Sequence, residues 1–331
     1  MRRVLFLIPL VLCGCRPGRQ AAVSSDGRVA STVANGTFIS GRGKVAEGGE
    51  DVTWSPDGQT LAIAADGGVA FWPKGDKIPG LGRPFAWSPF GDQIAATSDS
   101  GVRIKNLLTG ETRSAVFAGK PTVLRWTVDG RLLGMEHSLL QLDGGAKLDR
   151  ESKSIFDATP TADGTVTWLE TDDYEHQKGR LLDAPMRLGH WNPADGAVTV
   201  TNLPNAGSLF GLSSTRKLYV PVNFALSPDG NEIAAAAFQV ETGTRGITRL
   251  KELANKTAEL TKAENAVAET ILKAARISDI VVRLSPSGQA DTLWSSPVEN
   301  REWETIDLSW SPDGKWLAIA RKDGTVRVAA Q

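Results

Sequence analysis

The sequence predicts an all-β protein: a β-propeller of four-stranded blades, six in number with a seventh kept open, interrupted by one long α-helical insertion. Three observations carry this expectation. A five-residue turn motif recurs along the chain. Apolar runs seeded with small residues follow it. A single stretch without Gly or Pro then breaks the rhythm. Among 331 residues there are 34 Gly and 10 Trp but only 2 Tyr and 3 His, which suits a turn-rich β scaffold better than an imidazole-based enzyme.

The motif is clearest at Trp54-Ser55-Pro56-Asp57-Gly58 and Trp310-Ser311-Pro312-Asp313-Gly314. Related copies start at Trp87 (ending in Gly91), at Trp126 (ending in Gly130) and at Leu226 (ending in Asp229-Gly230). A decayed copy runs from Pro160 to Gly164. Each residue has a local task. Ser bonds nearby backbone, Pro fixes φ at the second turn position, Asp tolerates the third, and Gly supplies the left-handed conformation that re-enters a strand. The third residue after the glycine is aliphatic at Leu61, Ile94, Leu133, Ile233 and Leu317, and a small residue follows each. Such near-continuous apolar strands are buried on both faces. The leading Trp is expected to fill space between layers. Short strands repeating every 33 to 39 residues, then radially packed, describe propeller blades.

These WSPDG turns followed by Leu/Ile-Ala resemble the bacterial WD40-like propeller repeats of the TolB-like type, from Asp51 to the end of the chain. The resemblance implies the fold and a cell-envelope setting, not a function. The separate α/β domain that accompanies that propeller elsewhere is not seen here, so its role in the Tol–Pal system is not carried over. Residues 27–45 are expected to lend one closing strand to a last blade that is otherwise one strand short. The 66 residues between Gly164 and Gly230 leave room for a seventh blade, where Leu212 to Val220 resembles another degenerate turn and strand.

The insertion, about residues 243–278, holds Thr248 to Arg276 without Gly or Pro. Rich in Ala, Leu, Glu and Lys, it predicts one helix of about 43 Å. Leu250, Leu253, Leu260, Val267 and Ile271 fall on one weak heptad stripe, and Glu252 and Lys256 are placed to pair. Two readings stand: a decoration packing its stripe on the ring, or a helix that docks a partner or a second copy.

At the other end, Arg2 and Arg3 precede nine apolar residues, Val4 to Leu12. A helix of nine residues is about 14 Å long, too short to span a bilayer, and fits an export signal. Leu12-Cys13-Gly14-Cys15 resembles a bacterial lipobox. That resemblance implies cleavage after Gly14, lipidation (palmitate among the acyl chains) of Cys15, a tether over 15–26 and an extracytoplasmic anchor. Arg16 weakly favours the outer membrane if two membranes are present. The alternative is an ordinary cleaved signal with both cysteines incidental. No other cysteine exists, so neither a disulfide framework nor a cysteine zinc site can form in the body.

Formal charge is −1, which supplies no field for nucleic acid. No nucleophile elbow, P-loop or metal-type histidine spacing occurs among His137, His176 and His190. The densest polar cluster, Asp172 to His176, reads as a solvated loop more readily than as a cation site, and His190-Trp191 as packing. No catalytic residue, metal ligand or cofactor is assigned. The sequence therefore points to a lipid-anchored envelope module that binds or scaffolds an unidentified envelope protein. Two alternatives are a propeller enzyme, lactonase-like or cation-dependent, with acidic residues at the central channel, and a structural subunit docking through the 248–276 helix.

Overall fold

The computed structural model describes residues 21–33, 36–65, 67–172, 185–203, 214–254, 256, 260–287, 289–298, 305–321 and 324–329. The lipobox with Cys15, residues 173–176 of the acidic cluster, and Leu212-Ser213 lie outside them.

Seven antiparallel meander sheets form the structure, so seven blades replace the expected six. They span residues 21–46, 51–79, 82–115, 123–149, 153–202, 217–297 and 305–329. Six have four strands, and the seventh has three among the described residues. The extra blade is not in the 66-residue gap. It is the N-terminal segment, which builds a whole blade rather than lending one strand. Its turn is a further copy of the motif, Val23-Ser24-Ser25-Asp26-Gly27, with Gly27 at φ 82°. Without Trp and Pro that copy is hard to see, but Ser-x-Asp-Gly and the small apolar residues after it were legible.

The innermost strands of successive blades touch around the ring, and that of the first blade (Ala21–Val23) touches that of the seventh (Thr305–Trp310). Each of the seven junctions has its own apolar cluster. The runs Leu61–Ala64 and Ile233–Phe238 are buried throughout, because a second strand has a neighbouring blade on either face. Among the described residues the closing junction is the leanest, built from Ala21, Val23, Val29, Ala318 and Ala320 with Trp316 at its border. Arg327 reinforces it by stacking on Trp316 and donating to the Gly27 carbonyl.

The insertion is two short helices, not one long one: α1 (Thr244–Ala254) and α2 (Lys262–Ala274). Thr261 breaks the run. Its hydroxyl accepts from the Glu264 amide while the Glu264 carboxylate accepts from the Thr261 amide, a capping box that starts a new helix. Thr-x-x-Glu was present in the sequence and went unread. The expected Glu252–Lys256 pair is not made. Lys256 turns to Glu264, and Arg249 takes Glu252 at 2.8 Å. The hairpin joins the second and third strands of the sixth blade, at the ends remote from the motif turn. Leu250 and Leu253 are buried against Leu218 and Val240, and Leu260 and Ile271 pack half-buried on the same cluster. Only Val267 of the stripe faces outward, at 40% exposure.

Candidate functional site

In every blade the innermost strand ends at a motif turn, so the turns gather on one face of the ring. Gly58, Gly91, Gly130, Gly164, Gly230 and Gly314 lie at φ 68°, 72°, 82°, 84°, 72° and 71°, the region that excludes β-branched side chains. The hydroxyl is the hub of the turn. Ser55 Oγ accepts from the Thr60 amide (2.9 Å), and the same bond recurs at Ser88, Ser227 and Ser311. It also donates to the turn's own carboxylate, as in Ser55–Asp57, Ser227–Asp229 and Ser311–Asp313.

These bonds hold the carboxylates ionised. The Thr161 hydroxyl, the Thr165 amide and the Thr165 hydroxyl hold the Asp163 carboxyl at about 2. The Arg28 guanidinium and the Ser24 hydroxyl do the same for Asp26, also at about 2. The Ser55 hydroxyl lowers Asp57, and the Thr127 hydroxyl lowers Asp129. At Asp229 and Asp313 burial works against ionisation, but hydrogen bonds led by Ser227 and Ser311 outweigh it and the carboxyls remain lowered.

The leading tryptophans stitch blades together. Trp87 donates its indole N–H to the Thr53 carbonyl of the preceding blade (3.3 Å), Trp126 to Ala86 (3.0 Å) and Trp310 to Ala225 (3.0 Å). Trp54 is buried without such a bond. Around the fifth blade, where the motif lacks Trp, Asp157 takes over. A bulge in its strand frees the Ala158 amide, which Asp157 Oδ1 accepts at 3.0 Å. The same carboxylate takes Arg125 of the fourth blade at 2.7 Å and the Leu226 amide of the sixth at 2.9 Å. Asp157 joins three blades and lies outside the motif, so motif reading missed it. Bulges at Asn223 and Asp307 place acceptors at the same strand position, each bonding the next amide.

Between the turns opens the mouth of the central channel, a cavity of about 1210 Å³ lined by the second to seventh blades. Trp54, Trp87, Trp126 and Trp310 line it with the turn prolines, as do Asp163, Asp229, Gly314 and Asp313. Gly58, Gly91 and Gly130 shape the turns behind it, and Gly230 sits tight against Thr167 of the fifth blade. The stripe of Leu250, Leu253, Leu260 and Ile271 packs between the hairpin and the sixth blade instead. His190 lies at the cavity edge, 3.0 Å from the Thr167 hydroxyl, while Trp191 is buried. Among the described residues, no three His, Cys, Asp or Glu side chains converge as metal ligands would. No described helix is long and apolar enough to cross a membrane.

Comparison with known proteins agrees with this architecture. A family model described as the WD40 domain of anaphase-promoting complex subunit 4 matches residues 275–330. This chain folds as a β-propeller with WD40-like sequence over residues 275–330. Among solved structures, the propeller is similar to a chain of the mitotic checkpoint complex at 15% identity and TM-score 0.55, covering 94% of this chain and 90% of that one. It is similar as well to hydrazine synthase of Kuenenia stuttgartiensis, at 13% identity and TM-score 0.54, with 95% and 96% covered. At such identities the likeness concerns the fold. No curated protein sequence matches the propeller.

Proposed function

We propose that this WD40-like propeller is a binding module of the bacterial cell envelope. In this reading it is tethered through lipid on Cys15 and receives a segment of a protein partner at the mouth formed by its turns. One observation carries the binding role. The mouth is a large cavity walled by Trp and Pro, and the turn carboxylates in its wall are already engaged by their own hydroxyls and amides. Such groups shape and charge a surface rather than shuttle protons. Rigid aromatic and proline walls bind at low entropic cost. The envelope setting rests on the lipobox-like Leu12-Cys13-Gly14-Cys15 and its apolar leader.

The two halves are tested separately. Cys15→Ala should abolish fatty-acid labelling, whereas Cys13→Ala should not. Retained label in Cys15→Ala overturns the anchor. A photo-crosslinking side chain at Val128, in the cavity wall, should join a partner identified by mass spectrometry, and one at Val198 on an outer strand should not. Equal yields at both positions remove the mouth from consideration as the binding surface.

A further inference from the structure

The cavity has two unlike sides. Its second-to-fourth-blade side is apolar: Pro56, Trp87, Pro89 and Val128 line it. Phe90, on the same turn as Pro89, is 80% exposed, and Leu108, on the neighbouring turn of the third blade, is 83% exposed. Phe90 directly follows the lining Pro89, and Leu108 lies farther out, between the third and fourth strands of its blade; exposed apolar side chains beside an apolar cavity wall mark a contact surface.

The fifth-to-seventh-blade side is acidic. Asp163, Asp229, Glu232 and Asp313 line it, and among the described residues the single Lys or Arg in the lining is Arg125, committed to Asp157 at 2.7 Å. Lys315 accompanies Asp313 at 3.0 Å, and Arg283 stands 3.8 Å from Glu232. Among the described residues no ion pair engages Asp163 or Asp229. These two carboxylates sit on turns of adjacent blades, and both are held ionised by the hydrogen bonds described above. Both residues are exposed at the cavity wall, and negative charge without a counter-charge along a concave surface raises the local concentration of cations and favours a cationic occupant.

A polyamine brings charge but no bulky apolar side chain, whereas a peptide can carry one for the Pro56, Trp87, Pro89 and Val128 side beside its basic residues. The cavity is also larger than the roughly 300–1,000 Å³ of small-molecule pockets.

We infer that the mouth takes an extended, basic polypeptide segment of a protein partner, with an apolar side chain anchored at Phe90 and Val128 and Lys or Arg side chains set against Asp163 and Asp229. This inference rests on the reading of the mouth as a polypeptide-binding site and names the partner's chemistry.

The test is selection of random twelve-residue peptides displayed on phage against the immobilised full chain. Spermine serves as a competitor. Asp163→Asn and Asp229→Asn together remove two charges while keeping acceptor oxygens for the turns, and Phe90→Ser removes the lip. Glu269→Gln, on the opposite face, is the charge control. Selected peptides should be rich in Lys and Arg near an apolar residue. Their binding should fall about tenfold in the double Asn variant, severalfold in Phe90→Ser, and not at all in Glu269→Gln. Peptides that bind at the mouth without a basic bias overturn the inference and leave the binding reading standing. Displacement of every selected peptide by micromolar spermine, with spermine itself bound, reassigns the site to a polyamine. Peptides indifferent to both mouth variants, or no selected peptides, overturn the inference. If Val128 then crosslinks no partner either, the binding reading falls with it.

Discussion

Two ways of joining neighbouring blades coexist in one ring. Into the third, fourth and seventh blades the joint is an indole N–H reaching back to a carbonyl of the previous innermost strand. Around the fifth blade the joint is a carboxylate, Asp157, gripping Arg125 on one side and the Leu226 amide on the other. The first kind is neutral, lies within the repeated motif, and buries a large ring with its bond. The second is ionic and made possible by a strand bulge. A missing Trp at a motif position therefore does not mean a weak junction. It means that the same backbone groups are satisfied by a different side chain. The difference also shapes the channel, because at the fifth and sixth blades the mouth lacks the ring found at Trp87, Trp126 or Trp310.

The most severe way to break the ionic joint is Asp157→Ala. It strands the largely buried Arg125 guanidinium and leaves the Leu226 amide unpaired, so unfolding free energy should drop by about 3–5 kcal/mol in urea titration. Asp157→Asn, which keeps one acceptor, should cost less. A loss in Asp157→Ala no greater than in the Trp variant below would dissolve the contrast between the joints.

Gly314→Val should come next, at about 2 kcal/mol, because φ of 71° is left-handed and a β-branched residue tolerates it worst. Trp310→Phe keeps most of the ring but leaves the Ala225 carbonyl without its donor. It should cost about 1–2 kcal/mol, with the cut visible as a lower midpoint at unchanged slope.

The smallest effect is in acid. Asp26 and Asp163 titrate at about 2 in the folded chain, below their ordinary 3.8. A depressed folded value means that the turn bonds contribute fully above about pH 4 and are lost as pH falls through 2. Urea midpoints should fall between pH 4 and pH 2, and the fall should be shallower in Asp163→Asn. A slope identical to that of the unaltered chain would show that this turn carboxylate does not bind differently to the folded state. Trp310→Phe should leave the acid dependence unchanged, since an indole does not titrate.

Much of this was legible in the chain itself. The turn glycines, their hydroxyl and carboxylate partners, and the buried Leu/Ile-Ala strands are set by residues within about six positions of one another, so the sequence specifies them locally. The decayed turn at Pro160–Gly164 folds like the others because Thr161, Asp163 and Gly164 keep the necessary atoms. The helix break at Thr261 was local as well, and Thr-x-x-Glu was the signal passed over.

Tertiary structure decided the rest. Blade number depends on where the ring closes, and closure depends on whether a weak N-terminal repeat, Ala21 to Ala46, can pack against the last blade; its small Ala21 and Val23 meet Ala318 and Ala320 there. Of the two readings of the insertion's stripe, tertiary structure selects packing on the ring, because Leu218 and Val240, distant in sequence, cover most of it. In the sequence Asp157 carries no motif signal. Its importance comes from two partners at 32 and 69 residues' separation, which only the closed ring brings within hydrogen-bond reach. Local turns follow from short-range sterics and hydrogen bonds; junctions follow from which blades the closed circle makes neighbours.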